Sequence, residues 1–235
     1  VDSLGLYSPI IMWASMITGF ILPSFSTYLY PRFCEVKSNF EVSSLLNDGI
    51  RLGTFAVMPL LFLGIPYKNL IIPLFYSNEF LEASKYLPFH FIGVVFFVWW
   101  YVFTQAMTPT GRIKQHGIFF TFYLILDIII TYIFVNEIGL YGWMLKHIVS
   151  PFIFFWVYYI YTNISFGFNF NKSNLKLMLY LLLCSLILIS IDTYFTDLVS
   201  INLLLGPIFL FLVWGVLKNE EKKFFLDKLS LKRKN

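Results

Sequence analysis

The stretch Lys114–Tyr161, KQHGIFFTFYLILDIIITYIFVNEIGLYGWMLKHIVSPFIFFWVYYIY, decides how this chain is read. Only Lys114, Asp127, Glu137 and Lys146 are charged in it, and the short turn Asn136–Gly139 divides it into two apolar runs. Each run reaches the ~20 residues that an α-helix needs to cross a bilayer. A turn this short makes them antiparallel neighbours. Strands of this length would show alternating polarity, and an open strand edge in lipid would leave backbone groups unpaired; the alternation is absent, so helices are expected.

Working outward, the same reading gives seven spans: Tyr7–Leu29, Ile50–Pro66, Leu87–Thr108, Lys114–Asn136, Leu140–Tyr161, Leu175–Asp192 and Leu198–Leu217. The whole-chain composition agrees: 58% of the residues are hydrophobic, 21% aromatic and 13% charged. A soluble domain carries roughly a quarter charged residues, so a water-soluble globule, a disordered chain and a disulfide-stapled mini-protein are all set aside. The expected fold is an all-α membrane bundle, residues 1–217, followed by a basic tail, residues 218–235. The chain opens at Val1 with no signal-peptide pattern, and is expected to lack its natural beginning.

Positive charge orients the spans, because short cytoplasmic loops hold the excess of Lys and Arg. Arg32, Lys37 and Arg51 follow the first span, Arg112 and Lys114 the third, and Lys172 and Lys176 the fifth. Seven of the seventeen Lys and Arg lie in the last eighteen residues. Val1 is therefore expected outside and Asn235 in the cytoplasm, while Lys68 and Lys85 leave their loop ambiguous. The tail reads as a topology signal, a solvated cytoplasmic tail in the first place and a short helix on the anionic inner-leaflet lipids as the alternative, and no nucleic-acid partner is expected.

No nucleophile motif, Walker loop, dinucleotide fingerprint or metal-ligand spacing occurs, and Cys34 and Cys184 do not form a disulfide framework. An enzyme is not expected, nor a cofactor or metal. Asp192 and Asp197, five apart, read as solvated loop acids. Charges inside spans are more informative, since an ionisable group in hydrocarbon is costly and faces a bundle interior or a water-filled path. Asp127 and Lys146 fall at comparable depths on the antiparallel pair, which makes an ion pair feasible with His147 beside it. Such a pair either fixes helix packing or lines a pathway for an anionic or sugar-bearing cargo, or for an ion. Pro23, Pro59, Pro151 and Pro207 inside spans favour kinks, as moving transporter helices use them.

Several short stretches, Gly5-Leu6-Tyr7, Tyr30-Pro31-Arg32, Gly111-Arg112, Gly139-Leu140-Tyr141-Gly142 and above all Ile72-Pro73-Leu74-Phe75-Tyr76-Ser77-Asn78-Glu79-Phe80, occur in a telling order. In order and spacing they resemble the carboxy-terminal part of the bacterial polysaccharide flippases, the O-antigen translocases of the multidrug/oligosaccharidyl-lipid/polysaccharide exporter superfamily. The resemblance implies half of a two-lobed transporter in the inner membrane, moving an undecaprenyl-pyrophosphate-linked oligosaccharide outward. It also implies a central cavity with charged residues, for which Asp127, Lys146, His147 and Arg112 are the candidates. The polysaccharide polymerase and chain-length machinery are the further partners it brings. Two rivals remain: a drug or cation antiporter of the same superfamily, and a membrane polymerase or glycosyltransferase of polysaccharide synthesis. The second would need a sizeable outer loop carrying Arg and His or an acidic pair.

Overall fold

The computed structural model describes residues 3–194 and, beyond them, scattered positions between 204 and 217. The described chain is helical: α1 (Ser3–Glu35), α2 (Asn39–Phe75), a 3-10 segment (Asn78–Lys85), α3 (Leu87–Met107), α4 (Ile113–Phe166) and α5 (Lys172–Tyr194). Five of these helices are long and apolar enough to cross a membrane. Six of the seven expected spans fall inside them. The span Leu198–Leu217 lies largely, and the tail 218–235 wholly, outside the described residues.

α4 holds two of the expected spans. Its helical geometry breaks at Ile138 and at Gly139, whose φ of 58° lies in the left-handed region that glycine enters freely. The limbs 113–137 and 140–166 then run back along one another. Tyr123 stacks edge-on against Phe154, and farther from the turn Phe119 meets Tyr161. Gly142 lies against the Phe134 carbonyl, where a Cβ would have no room. The second limb stops at Gly167, also left-handed, with its N–H on the Asn163 carbonyl and the Phe168 N–H reaching Thr162, an ordinary helix-ending motif.

The structure corrects the expected loop between the first two spans. Only the short link between Glu35 and Asn39 separates α1 from α2. Ser38 caps α2 by accepting the Glu41 N–H at 3.2 Å, while the Glu41 carboxylate accepts the Lys37 N–H at 2.8 Å, close to a capping box. Hydropathy windows end where polar residues begin, but helical hydrogen bonding continues beyond the lipid. At ~1.5 Å per residue α2 is roughly 55 Å long, well beyond the ~30 Å hydrocarbon core. Arg51, read as a loop charge, consequently lies inside α2 and is 4% exposed.

α3 is the central helix, packed against α1, α2 and α4 and buried on nearly every side. A helix apolar all round belongs in a core. Its neighbours approach closely where one side chain is missing. Gly49 and Gly53 of α2 face Val102 and Val98, and Gly93 faces the backbone carbonyl of His147. In lipid, where water does not press helices together, such close approach supplies much of the association through van der Waals contact. The buried Trp99 indole donates to the Thr54 hydroxyl at 2.9 Å, which donates onward to the Ile50 carbonyl. By contrast the first limb of α4 presents Phe122, Ile128 and Tyr132 outward, as a lipid-facing surface would.

Candidate functional site

Asp127 lies twelve residues before Gly139 and Lys146 seven after it, so the hairpin makes them neighbours and the long lysine stem bridges the remaining difference in depth. Their side chains form an ion pair, Nζ to Oδ2, of 2.8 Å, with side-chain exposures of 20% for Asp127 and 12% for Lys146. The second carboxylate oxygen, Oδ1, is buried and has no hydrogen-bond partner. A buried carboxylate oxygen left unmet is an uncommon arrangement, since a buried polar atom without a partner costs roughly 1–3 kcal/mol.

His147, the next residue, turns the site toward α3. Its ring lies 4.8 Å from that of His90 and 4.2 Å from Trp143, both edge-on, and Trp143 stacks on His90. Nε2 of His147 and Nδ1 of His90 are both buried without a partner. These rings, with Tyr123, border a cleft of about 270 Å³ closed on its other side by Ile11, Ser15 and Thr18 of α1. The cleft thus joins α1, α3 and both limbs of α4, with imidazoles and hydroxyls among apolar walls. It can exchange protons or bind polar groups of a guest.

Arg112 stands apart from this cluster. It is the residue before the first turn of α4, with its guanidinium 5.8 Å over the Phe166 ring, and Asp127 lies fifteen residues farther along, roughly 22 Å away. The structure brings Asp127, Lys146 and His147 together and leaves Arg112 at the far mouth of the hairpin.

Three features escaped the sequence reading. His90 was readable, because a histidine within a span carries the same cost argument as Asp127. The reading of Asp192 as a solvated loop acid is overturned: it belongs to α5, and its side chain, 15% exposed, pairs with Lys68 of α2, 6% exposed. Their separation of 124 residues hides this from any local pattern. The third is a polar knot at the opposite end of α2 and α5. Asn47 donates to the Ser43 and Asn169 carbonyls and accepts from the Asn171 N–H and the Asn174 amide. Arg51 donates to Ser173 and Asn174 beside it. Among the described residues no group of three or more His, Cys, Asp or Glu could hold a metal ion.

Residues 1–85 match the family model for polysaccharide biosynthesis proteins. The match covers α1, α2 and the 3-10 segment, including the Ile72–Phe80 stretch, and supports a role in polysaccharide synthesis or export. With the five long apolar helices it supports a membrane protein. The Asp127 cluster lies beyond the matched residues. No curated protein matches this chain, and no solved structure does.

Proposed function

We propose that the chain is one lobe of a non-enzymatic exporter that carries undecaprenyl-pyrophosphate-linked oligosaccharide from the inner to the outer leaflet of the bacterial inner membrane. The observation that carries this reading is the half-buried Asp127–Lys146 pair, incompletely satisfied and next in sequence to His147, which lines a cleft between helices. A charged pair placed in hydrocarbon and left short of partners is poor architecture but suits a pathway. The polysaccharide match over residues 1–85 supports the cargo class. A pyrophosphate and a hydrated glycan cannot enter lipid unaided, whereas a polar groove between two lobes shields them while the lipid tail stays in the bilayer.

In this reading an anionic group of the cargo and a coupling cation enter together, so that Lys146 and Asp127 each gain a new partner as the pair opens, and His147 and His90 supply hydrogen bonds. The Arg51 end faces the cytoplasm, together with Asn235, and the Lys68 end faces outward, as the loop charges require. The test is a deletion strain. Surface polysaccharide is expected to disappear while isolated membranes still synthesise lipid-linked repeat units, which stay on the cytoplasmic leaflet. Loss of synthesis in those membranes would point instead to a transferase and overturn the reading.

A further inference from the structure

At the Lys68 end a second, larger cleft of about 820 Å³ opens between the end of α2, the 3-10 segment, the start of α3, the turn of α4 and the end of α5. Its size is that of a small-molecule site, typically ~300–1,000 Å³. Its charges cancel in pairs. Lys68 is neutralised by Asp192 in the buried wall, while Lys85 and Glu82, 3.7 Å apart and well exposed on the rim, hold each other weakly but leave the lining without net charge. An anionic guest would have to draw Lys68 from its partner and leave Asp192 uncompensated, and a cation would do the reverse to Lys68. Breaking a buried pair in this way is strongly unfavourable.

Beyond these charges, which sum to zero, the lining offers a guest uncharged groups. Asn69 and Asn78 are exposed in the lining, so their amides can both donate and accept, and Tyr141 offers a hydroxyl beside a flat ring. That ring is braced at 4.9 Å by Tyr86, which holds it edge-on at 61° and limits its motion. Phe89 adds a second apolar surface. Amides to meet hydroxyls and rings to cover the apolar faces between them are the complement of a sugar. An apolar lipid chain would strand the amides. The groove between α1 and α2 around Phe20, Phe25 and Leu52 differs, being nearly all apolar.

We propose that this cleft is a binding site for an uncharged carbohydrate, holding the glycan of the cargo at the outer end while the pyrophosphate engages elsewhere. The assignment of the glycan as cargo, and of this end as outer, rests on the exporter reading; the preference for a neutral sugar rests on the paired charges alone.

The test uses the full chain in lipid nanodiscs. The probes are the uncharged oligosaccharides released by mild acid from the producing cells' own lipid-linked intermediates, and inorganic pyrophosphate as the contrast. Calorimetry is expected to show saturable oligosaccharide binding that weakens about tenfold or more in Tyr141→Ala and in Asn69→Leu, a change of ~1.4 kcal/mol. Unfolding temperatures identify any variant that has lost its fold. No saturable binding by the parent, equal binding by both folded variants, or competition by pyrophosphate for the same site would overturn the proposal. Sugar binding in a protein whose deletion leaves export intact would sink the exporter reading and keep this site; export that needs the protein, without sugar binding, would do the opposite.

Discussion

The polar knot around Asn47 and the cluster around Asp127 are both buried polar groups in a largely apolar bundle, yet they are built on opposite terms. Asn47 uses both of its amide donor positions and accepts twice, tying α2 to the start of α5. In the other cluster Asp127 Oδ1, His147 Nε2 and His90 Nδ1 all lack partners. A satisfied network rigidifies, while each unmet atom costs roughly 1–3 kcal/mol. On the exporter reading, the difference separates architecture from a pathway.

The largest effect expected from breaking this contrast is at Asp127. Asp127→Asn leaves the half-buried Lys146 without its counter-charge; losing one partner of a fully buried pair costs roughly 3–5 kcal/mol, and this one somewhat less. Membrane abundance and export should both fall steeply. The double variant Asp127→Asn, Lys146→Met removes both charges and should regain abundance, measured by immunoblot of membranes, but not surface polysaccharide. If export returned with abundance, the pair would be packing of the same kind as the Asn47 knot, and the contrast would collapse.

A smaller effect is expected at the other end. Asn174→Ala removes the amide that donates to both the carbonyl and the side chain of Asn47, and the acceptor of Arg51 with it. Unmaking a buried hydrogen bond costs roughly 1–3 kcal/mol, so abundance and thermal stability should drop while export per molecule holds. A folded, abundant Asn174→Ala protein that exports nothing would place the knot in the pathway and erase the distinction.

The legibility of the two regions differed for a physical reason. Asp127 and Lys146 were readable because a short turn imposes antiparallel neighbours, and a rise of ~1.5 Å per residue converts sequence distance into depth. The partners of Asn47, Arg51 and Lys68 are more than a hundred residues away, so only tertiary packing joins them. Hydropathy also misplaced Arg51, because it reports where lipid ends and not where the helix does. The spans themselves were legible from length and composition, and the break at Ile138 and Gly139 divides α4 into two of them.

The smallest effect is expected at Arg112, and it sharpens the comparison from a third position. Its guanidinium over the Phe166 ring contributes about 0.5–1 kcal/mol. A cation at the start of a helix, however, meets the positive end of the helix dipole, which costs a similar few tenths to 1 kcal/mol. These opposing terms leave Arg112→Gln close to neutral in stability, so packing gives no reason for the residue. Two reasons remain: a positive charge that holds this end in the cytoplasm, or a contact for the cargo at the entrance. Arg112→Lys keeps the charge but loses the planar fork that grips a phosphate bidentately. An orienting charge therefore predicts full export in Arg112→Lys and a modest loss in Arg112→Gln, read as surface polysaccharide per unit of membrane protein. An entrance contact predicts that both variants lose export alike at unchanged abundance. We expect the first pattern, because Arg112 lies roughly 22 Å along the helix from the paired charges and touches none of the unmet groups. The second pattern would extend the cargo path along the whole of the first limb of α4.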